Sequence, residues 1–589
     1  MHETDGMNLE KADGSELQNP LHIQGWKLAG VVISLNVANG VAFIDLLGVT
    51  AILPAVSDHF TRGGSIAWAA TTQLIGATVG LAVLGYLSDV WSRRLMLLVA
   101  LGLLVLSALG CGLSHYQDQT DLFCALRAFS GIATGSISNL VNIAQNDFLP
   151  ARKRLKYQSV QGTSVALGSI VGMMAGAAWA TERQWQYLYY LEVGLSMCSV
   201  IAIYFFVPPN CKPPGREQIW DVVRTIDLLG IISGIGFIVP GLLLLSKYSL
   251  LDRIILILLA AITGVSALCF LALGFLPDRG RVRPIVPFRL FRNRTVATIL
   301  VQNVLFGATY YSFSYYMPLN LQVVRELPAV VASAYQVPYY VCHGITSTVT
   351  ALVILRLQKR GMRSYSIIFL VGFAVWTVAM ANLAVDSEYQ VPGLAIFLMI
   401  LVGIATGSTF QNSVMAISAE VDNDIKGVAV GDRNMLRFFG GALGTAISSA
   451  IFRGQLDKQL PQDLPAEFHI ADSAFSHHPF DRLTDAQRTA VQEAYDGAIA
   501  WVFYVSAILV GVCFLLCPLI RDGQKKNRVE EEGIEMEESG EDEEMEELKS
   551  KSKPASVQGP EIGTALPQAP SSIFNRPFSW EHEHTPQYV

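Results

Sequence analysis

The chain contains 589 residues, of which 51% are hydrophobic and only 15% are charged. Because soluble domains usually carry about 25% charged residues, this composition excludes an ordinary soluble protein. The formal net charge of −7 does not indicate a basic partner, since much of the acid lies in one segment at Glu530–Glu547. The sequence contains neither a basic face nor the motif of a nucleic-acid-binding fold, so we expect no nucleic-acid partner.

Apolar segments of about 20 residues, the length that crosses a bilayer as a helix, recur along most of the chain. They predict an all-α polytopic membrane protein with about fourteen spans. The predicted spans are residues 29–54, 67–87, 94–114, 121–145, 158–180, 187–207, 227–246, 253–275, 295–317, 334–355, 365–385, 392–417, 434–452 and 498–520.

The basic residues predict how these spans are oriented. Lys and Arg concentrate in every second connection, for example at Ala151–Lys156 and Arg356–Arg363. Connections rich in Lys and Arg favour the cytoplasmic side of a membrane. We therefore expect both termini to be cytoplasmic.

An internal repeat indicates two related halves. The hexapeptide GIATGS occurs at Gly131–Ser136 and again at Gly403–Ser408, a step of 403 − 131 = 272 residues. The two glycines of GSIVG recur at the same step in GGALG. Two adjoining six-helix halves would place equivalent positions roughly 200 residues apart. The longer step therefore predicts two six-helix bundles with two extra helices inserted between them.

The repeat and the loop compositions predict the organisation of the whole chain. The C-terminal tail is acidic and then rich in Pro and Ser, which is typical of disorder, and Thr484 and Gln487 have the spacing of a capping box that starts the last helix. The predicted segments are a disordered cytoplasmic N-terminus at 1–26, an N-terminal six-helix bundle at 27–208, a cytoplasmic linker at 209–226, the two inserted helices at 227–276, a C-terminal six-helix bundle at 277–520 with an exofacial loop at 454–497, and a disordered acidic cytoplasmic tail at 521–589.

The connection between spans two and three carries a recognisable motif, GYLSDVWSRRLML. Gly85 allows close packing at the helix end, Asp89 caps or pairs, and Arg93 and Arg94 supply positive charge. The motif resembles the signature Gly-x-Leu-Ala-Asp-Arg-x-Gly-Arg-Lys of the major facilitator superfamily, with Arg94 in place of Lys and Val90 in place of the first Arg. The resemblance implies that this loop latches one conformation through Asp–Arg contacts.

Two spans contain charged residues that a membrane helix rarely tolerates. Arg127 lies in RAFSGIATG of span four, where an arginine costs about 2.5–3.5 kcal/mol and needs a partner, unless it reaches the outer interface. The segment resembles the superfamily's fourth-helix motif, in which the arginine is linked to proton coupling. Asp45 in span one is an isolated carboxylate and therefore a candidate for reversible protonation. Glu192 in span six is a second candidate, unless it faces the outer water.

Span five contains GSIVGMMAGA, which resembles the antiporter motif Gly-x-x-x-Gly-Pro-x-x-Gly-Gly. Gly168, Gly172 and Gly176 match, whereas Met173 replaces Pro and Ala177 replaces the last Gly. Small residues at this spacing also pack membrane helices closely without further function. The glycines that we assign to helix packing are Gly131, Gly135, Gly168, Gly172, Gly176, Gly403, Gly407, Gly440 and Gly444.

Polar and aromatic residues within the spans are candidates for a substrate cavity. Spans nine and ten are rich in tyrosine, which suits either the wall of a cavity for an amphiphilic substrate or an aromatic belt at the membrane surface. His343 either titrates or remains a neutral hydrogen-bonded histidine. The predicted cavity residues are Asn142, Asn303, Tyr311, Tyr339, His343 and Gln411.

The sequence contains no nucleotide-binding Gly-x-x-x-x-Gly-Lys-Ser/Thr motif and no catalytic or metal-site spacing, so we expect no enzyme, cofactor or metal. The resemblance to the fourteen-span drug:proton antiporters, similar to fungal efflux pumps, implies a monomeric secondary transporter that exports small amphiphilic molecules in exchange for protons. It implies the plasma membrane, with the vacuolar membrane as the alternative. Two other functions stay open: proton-coupled transport of siderophores or amino acids, and a non-transporting receptor or scaffold.

Overall fold

The computed structural model describes residues 26–60, 66, 68–117, 119–148, 151–182, 184–209, 227–247, 252–275, 286–389, 393–421, 425–460 and 483–521. These residues form helices and connections and contain no strand. The α-helices are α1 (Trp26–His59), α2 (Trp68–Val90), α3 (Arg93–Leu113), α4 (Thr120–Phe148), α5 (Ala151–Thr181), α6 (Gln186–Phe206), α7 (Leu228–Lys247), α8 (Arg253–Phe275), α9 (Arg294–Leu319), α10 (Ala329–Lys359), α11 (Ser364–Tyr389), α12 (Leu394–Phe410), α13 (Asn412–Glu420), α14 (Lys426–Gln459) and α15 (Asp485–Leu516).

Each predicted span corresponds to a long helix, and the twelfth continues through a break at Gln411 into α13. Thirteen helical segments among the described residues are long and apolar enough to cross a membrane. The exception is α4, which has 29 residues but buries arginine and several amides instead of presenting a uniformly apolar surface. The difference from the expected count of spans therefore reflects the polarity of α4, not a missing helix.

The helices pair in the same way in the two halves of the chain. In the first half α1 packs on α5, α2 on α4 and α3 on α6. In the second half α9 packs on α14, α10 on α12 and α11 on α15. The halves meet mainly through α5 against α10 and α2 against α14. The fold is thus a major facilitator fold, in which α7 and α8 are the two extra helices.

The repeated hexapeptide makes equivalent contacts in both halves. A Cβ atom added at Gly131 of α4 would overlap the backbone carbonyl of Gln73 in α2. A Cβ atom added at Gly403 of α12 would overlap the backbone carbonyl of Tyr339 in α10. Only glycine allows two helix backbones to approach this closely. The hexapeptide therefore marks the same helix pair in each half.

The second repeated motif also lies at a pair of crossing helices. Gly168 of α5 faces the backbone of Gly40 in α1, and Gly440 of α14 faces the backbone of Val304 in α9. The remaining predicted packing glycines also lie against the backbone of a neighbouring helix: Gly135, Gly172, Gly176, Gly407 and Gly444. All nine thus lie where the added methyl group of alanine would push a neighbouring backbone away.

The inserted helices lie on the periphery. α7 packs against α14 and α2, whereas α8 packs mainly on α7. The exposed apolar side chains of α8, among them Ile254, Val265 and Leu268, suit contact with acyl chains. At the start of α15, the Thr484 hydroxyl accepts a hydrogen bond from the Gln487 backbone, and the Gln487 side chain accepts one from the Thr484 backbone. This confirms the predicted capping box.

Several predictions lie outside the described residues. They concern residues 1–25 of the N-terminus, residues 210–226 of the linker, residues 461–482 of the long loop and the tail from residue 522.

Candidate functional site

A buried ion pair joins α1 to α4 at the centre of the first half. The Arg127 guanidinium donates to the Asp45 carboxylate and, over 3.1 Å, to the backbone oxygen of Asp45. The Arg127 side chain is 0% exposed, so the alternative in which it reaches the outer interface is wrong. The carboxylate thus supplies the partner that an arginine within a membrane helix needs.

Two further side chains complete the contacts of Asp45. Gln73 of α2 donates its amide to Oδ2 of Asp45 over 2.7 Å and accepts a hydrogen bond from Arg127. The Ser130 hydroxyl, three residues after Arg127 on α4, also donates to Asp45. Sequence reasoning missed both residues, although Gln73 stands out as an amide in an apolar span and Ser130 lies within the arginine motif.

Glu192 of α6 lies beside this pair. Its side chain is fully buried, so the alternative in which it faces water is wrong. The charges of Asp45 and Arg127 both act on it, and the Asp45 carboxylate is close enough to accept a hydrogen bond from a protonated Glu192. No donor among the described residues reaches either of its carboxylate oxygens. We name Asp45, Gln73, Arg127, Ser130 and Glu192 the acid cluster. It holds two carboxyl groups and one arginine.

A second set of buried charges lies on α14 in the other half. Arg433 donates to the Ser413 hydroxyl over 2.6 Å and to the backbone oxygen of Phe410. Arg437 donates to the Tyr311 hydroxyl over 3.0 Å. Both arginines are buried, and we name them the arginine pair. Sequence reasoning did not assign them a role, although two arginines at the start of an apolar span were a visible signal.

The Phe410 ring is the centre of the cavity residues in this half. The guanidinium of Arg433 lies 5.4 Å from its centroid and that of Arg437 lies 4.5 Å from it. The His343 ring is 5.5 Å away, and Nδ1 of His343 lies 3.0 Å from the Thr406 hydroxyl. Phe43 of α1 packs against the same ring at 6.4 Å, so this cluster lies where the two halves meet.

Two tyrosines of α9 connect the two charged clusters. Tyr311 accepts the hydrogen bond from Arg437, and Tyr315, one helical turn along, lies close enough to Arg127 and Asp45 to be influenced by their charges. The hydroxyl of Tyr315 has no hydrogen-bond partner among the described residues. The acid cluster and the arginine pair therefore lie near successive turns of one helix, α9.

Some of the predicted cavity amides form hydrogen bonds between the two halves. Gln411 donates to Asn142 of α4 and to Gln161 of α5, both over 3.0 Å, and Asn434 of α14 donates to Asn139 of α4 over 3.0 Å. We name these three hydrogen bonds between the halves the amide contacts. Their partners on α4, Asn139 and Asn142, lie between Arg127 and the end of the molecule at which α2 ends and α3 begins, which we name the Arg93 face.

The other predicted cavity residues have neighbours of their own. The Asn303 amide donates to the backbone of Ile299 over 2.7 Å, which turns it toward its own helix. The Tyr339 ring packs 4.5 Å from Tyr340, and its hydroxyl lies near the hydroxyls of Thr406 and Tyr310.

The predicted latch lies at the Arg93 face. Arg93 forms an ion pair of 2.9 Å with Asp147 of α4 and donates to the Ser88 hydroxyl over 2.6 Å. Arg94 stacks on the Tyr204 ring at 4.4 Å. A Cβ added at Gly85 would lie 2.9 Å from the Asn139 amide. The side chain of Asp89 lies outside the described residues.

We expect Gln411→Ala to open the Arg93 face, because it removes two of the amide contacts, each worth about 0.5–1.5 kcal/mol. The measurement is the distance between spin labels at Leu95→Cys and Lys359→Cys, in a background from which the native cysteines have been removed. Gln411→Ala should add a population at longer distance, whereas Gln119→Ala, which truncates an exposed amide, should not. An unchanged distance distribution in Gln411→Ala would contradict this role.

Comparisons with known proteins agree with the observed fold. A sequence model of the Major Facilitator Superfamily matches residues 35–445. The chain is 28% identical over 490 residues to Citrate exporter 1 of Yarrowia lipolytica, covering 82% of this chain and 70% of the relative. It is 22% identical over 526 residues to the Efflux pump FUS6 of Gibberella fujikuroi, covering 87% of this chain and 92% of that pump.

Solved structures resemble the chain in fold. A D-xylose-proton symporter matches with a TM-score of 0.55 at 13% identity, over 85% of this chain and 99% of the symporter. A bacterial homolog of the human lysosomal transporter Spinster matches with a TM-score of 0.53, also at 13% identity, over 86% and 99% of the two chains.

Proposed function

The chain belongs to the Major Facilitator Superfamily, and from this we propose that it is a secondary transporter that exports small organic molecules in exchange for protons. The observation that carries the proposal is the acid cluster. It places ionisable carboxyl groups at full burial on α1 and α6, close to Tyr315 of the second half. A proton-driven transporter needs such groups near the interface of its two repeats.

The acid cluster contains one positive charge for two carboxyl groups. Arg127 balances Asp45, which also accepts hydrogen bonds from Gln73 and Ser130. A second carboxylate at Glu192 would be buried without a donor, and an unpaired ion in a protein interior costs several kcal/mol. We assign one exchangeable proton to the two carboxyl groups together, held by Glu192 in the observed arrangement.

Alternating access would open the path between the two halves to one side of the membrane at a time. The halves, proposed to span residues 27–208 and 277–520, move as bodies about the charged clusters. The amide contacts hold the two halves together at the Arg93 face. The described contacts of Arg93 and Arg94 order the helix ends of the first half at the same face, and protonation of the acid cluster changes the relative free energies of the two states.

Export is the direction supported by the names of the relatives, among them an efflux pump and a citrate exporter. We place the protein, as a monomer with both termini in the cytoplasm, in the plasma membrane, with the vacuolar membrane as the alternative. Proton-coupled uptake is the second candidate, favoured by Met173 in place of the antiporter proline. If export is correct, cells that lack the protein should become more sensitive to its substrates.

We expect Glu192→Gln to lose transport driven by a pH gradient while it retains exchange of substrate across the membrane. Glutamine permanently mimics the protonated acid. The protein can therefore still change between its two access states, but it carries no proton when it does so. The measurement compares two assays in proteoliposomes that hold the protein with its cytoplasmic side outward: accumulation driven by a pH gradient, and one-for-one exchange without a gradient. Radiolabelled citrate and ethidium are the probes.

Glu182→Gln, at an exposed glutamate just after α5, is the matched control and should behave as wild type. Gradient-driven transport by Glu192→Gln at the wild-type rate would remove Glu192 from the proton site. Failure of the wild-type protein to move either probe in response to the gradient would contradict proton-driven transport of both.

A further inference from the structure

We propose that the arginine pair binds the carboxylate groups of an organic anion with at least two carboxylates, and that such anions are the substrate class. This inference rests on the proposed function in one respect, that the junction of the two halves is the transport path. The binding site itself is inferred from charge, burial and hydrogen bonding around Arg433 and Arg437.

The first observation is that the arginine pair carries uncompensated charge. No carboxylate among the described residues forms an ion pair with Arg433 or Arg437. Asp432 is adjacent in sequence to Arg433 but makes no ion pair with it. The charge that acts most strongly on Arg433 is that of Arg437, which repels it. Two buried like charges are unfavourable unless an anion compensates them.

The second observation is that Arg437 has unused hydrogen-bond donors. A guanidinium has five N–H groups, and the one hydrogen bond found for Arg437 goes to the Tyr311 hydroxyl. Its Nε is buried without a partner in the described part of the chain. By contrast, all three nitrogens of Arg433 donate, to the Ser413 hydroxyl, the Phe410 backbone oxygen and the Asn434 side-chain oxygen. Arg437 is therefore the freer donor for a bidentate contact with a carboxylate.

The third observation concerns the spacing and the surroundings. Arg433 and Arg437 are four residues apart on α14, so they share one helix face about 6 Å apart along the axis. This separation suits two carboxylates joined by a short carbon skeleton. The aromatic rings of Phe410 and Phe438 lie beside the guanidinium of Arg437, and they favour an organic skeleton over a small hydrated inorganic anion.

The arginine pair lies where the two halves meet, which is where a transport site is expected. Phe410, which both guanidinium groups approach, also packs against Phe43 of α1. Asn434, between the two arginines, is bonded to Asn139 of α4. An anion at the arginine pair would therefore contact both halves, and breaking the amide contacts would open it toward the Arg93 face.

The test is the binding of citrate to the purified full-length protein, followed by calorimetry. We expect wild type to bind citrate, and Arg437→Gln and Arg433→Gln each to weaken the affinity about tenfold to a hundredfold, the usual value of a hydrogen bond to a charged group. Lys458→Gln, at an exposed cation on the same helix, is the matched control and should leave the affinity unchanged.

The melting temperature of each variant distinguishes loss of the binding site from loss of the fold. Because Arg437 repels Arg433 and has no anion in the ligand-free protein, Arg437→Gln should raise the melting temperature without ligand and abolish the rise that citrate produces in wild type. A lower melting temperature together with unchanged citrate affinity would overturn the inference, as would tight binding of inorganic sulfate in preference to citrate.

Transport separates this inference from the proposed function. In proteoliposomes with the membrane potential clamped by potassium and valinomycin, gradient-driven movement of ethidium without any citrate binding would overturn the anion site and leave proton-driven export intact. Citrate binding that is lost in Arg437→Gln, together with citrate movement that responds to potential but not to pH, would support the anion site and overturn proton coupling.

Discussion

Replacing Arg127 with glutamine is expected to destabilise the membrane-embedded fold by about 3–5 kcal/mol and to abolish gradient-driven transport. The substitution leaves the Asp45 carboxylate buried without its counter-charge, although Gln73 and Ser130 still donate to it. An uncompensated charge in an apolar interior costs far more than the loss of an exposed ion pair. The measurement is the melting temperature and yield of the detergent-purified protein.

The double variant Asp45→Asn/Arg127→Gln tests whether this loss arises from the pair itself. Removing both charges should recover most of the stability, because no buried ion is left unpaired, whereas gradient-driven transport should remain absent. Arg488→Gln is the matched control, since Arg488 pairs with Glu326 at an exposed position, and such pairs contribute about 0.2–1 kcal/mol. Equal destabilisation by Arg127→Gln and Arg488→Gln would contradict a central ion pair.

Replacing the first glycine of either repeated hexapeptide with alanine is expected to cost about 3 kcal/mol, the upper end for overpacking. In Gly131→Ala the new methyl group meets the backbone of Gln73, and in Gly403→Ala it meets that of Tyr339. Backbone atoms of a packed helix cannot move aside as a flexible side chain can. The two variants should therefore lower the melting temperature by similar amounts, although they lie in different halves.

Gly102→Ala provides the control within a helix, because a Cβ at Gly102 meets nothing within 4 Å. The gain in helix propensity, up to about 1 kcal/mol, should leave this variant as stable as wild type or slightly more stable. If Gly403→Ala were neutral while Gly131→Ala were destabilising, the two hexapeptides would not have equivalent structural roles. If all three were neutral, close packing of the helix backbones would not limit stability.

Much of the fold follows from the sequence alone, because local physics decides it. The length of an apolar segment determines whether a helix can span the bilayer, and the predicted spans coincide with long helices. The capping box at Thr484 acts within one turn. The repeated glycines also predicted the right relationship between the halves, because close backbone approach demands glycine wherever it occurs.

The site depended on the tertiary structure. The sequence marked Asp45 and Arg127 as isolated charges in apolar spans. It did not show that they form a pair, or that Gln73 and Glu192 lie beside them. These contacts depend on how four helices are rotated about their own axes. Arg433 and Arg437 lie near the start of their helix, a position that a membrane interface also allows. Only the packing of α14 against α9 and α13 buries them, and no carboxylate among the described residues pairs with them. The order of residues determines each helix and its polar face. Long-range packing determines which faces meet, and the electrostatic free energy of a buried charge depends on the neighbours that this packing brings to it.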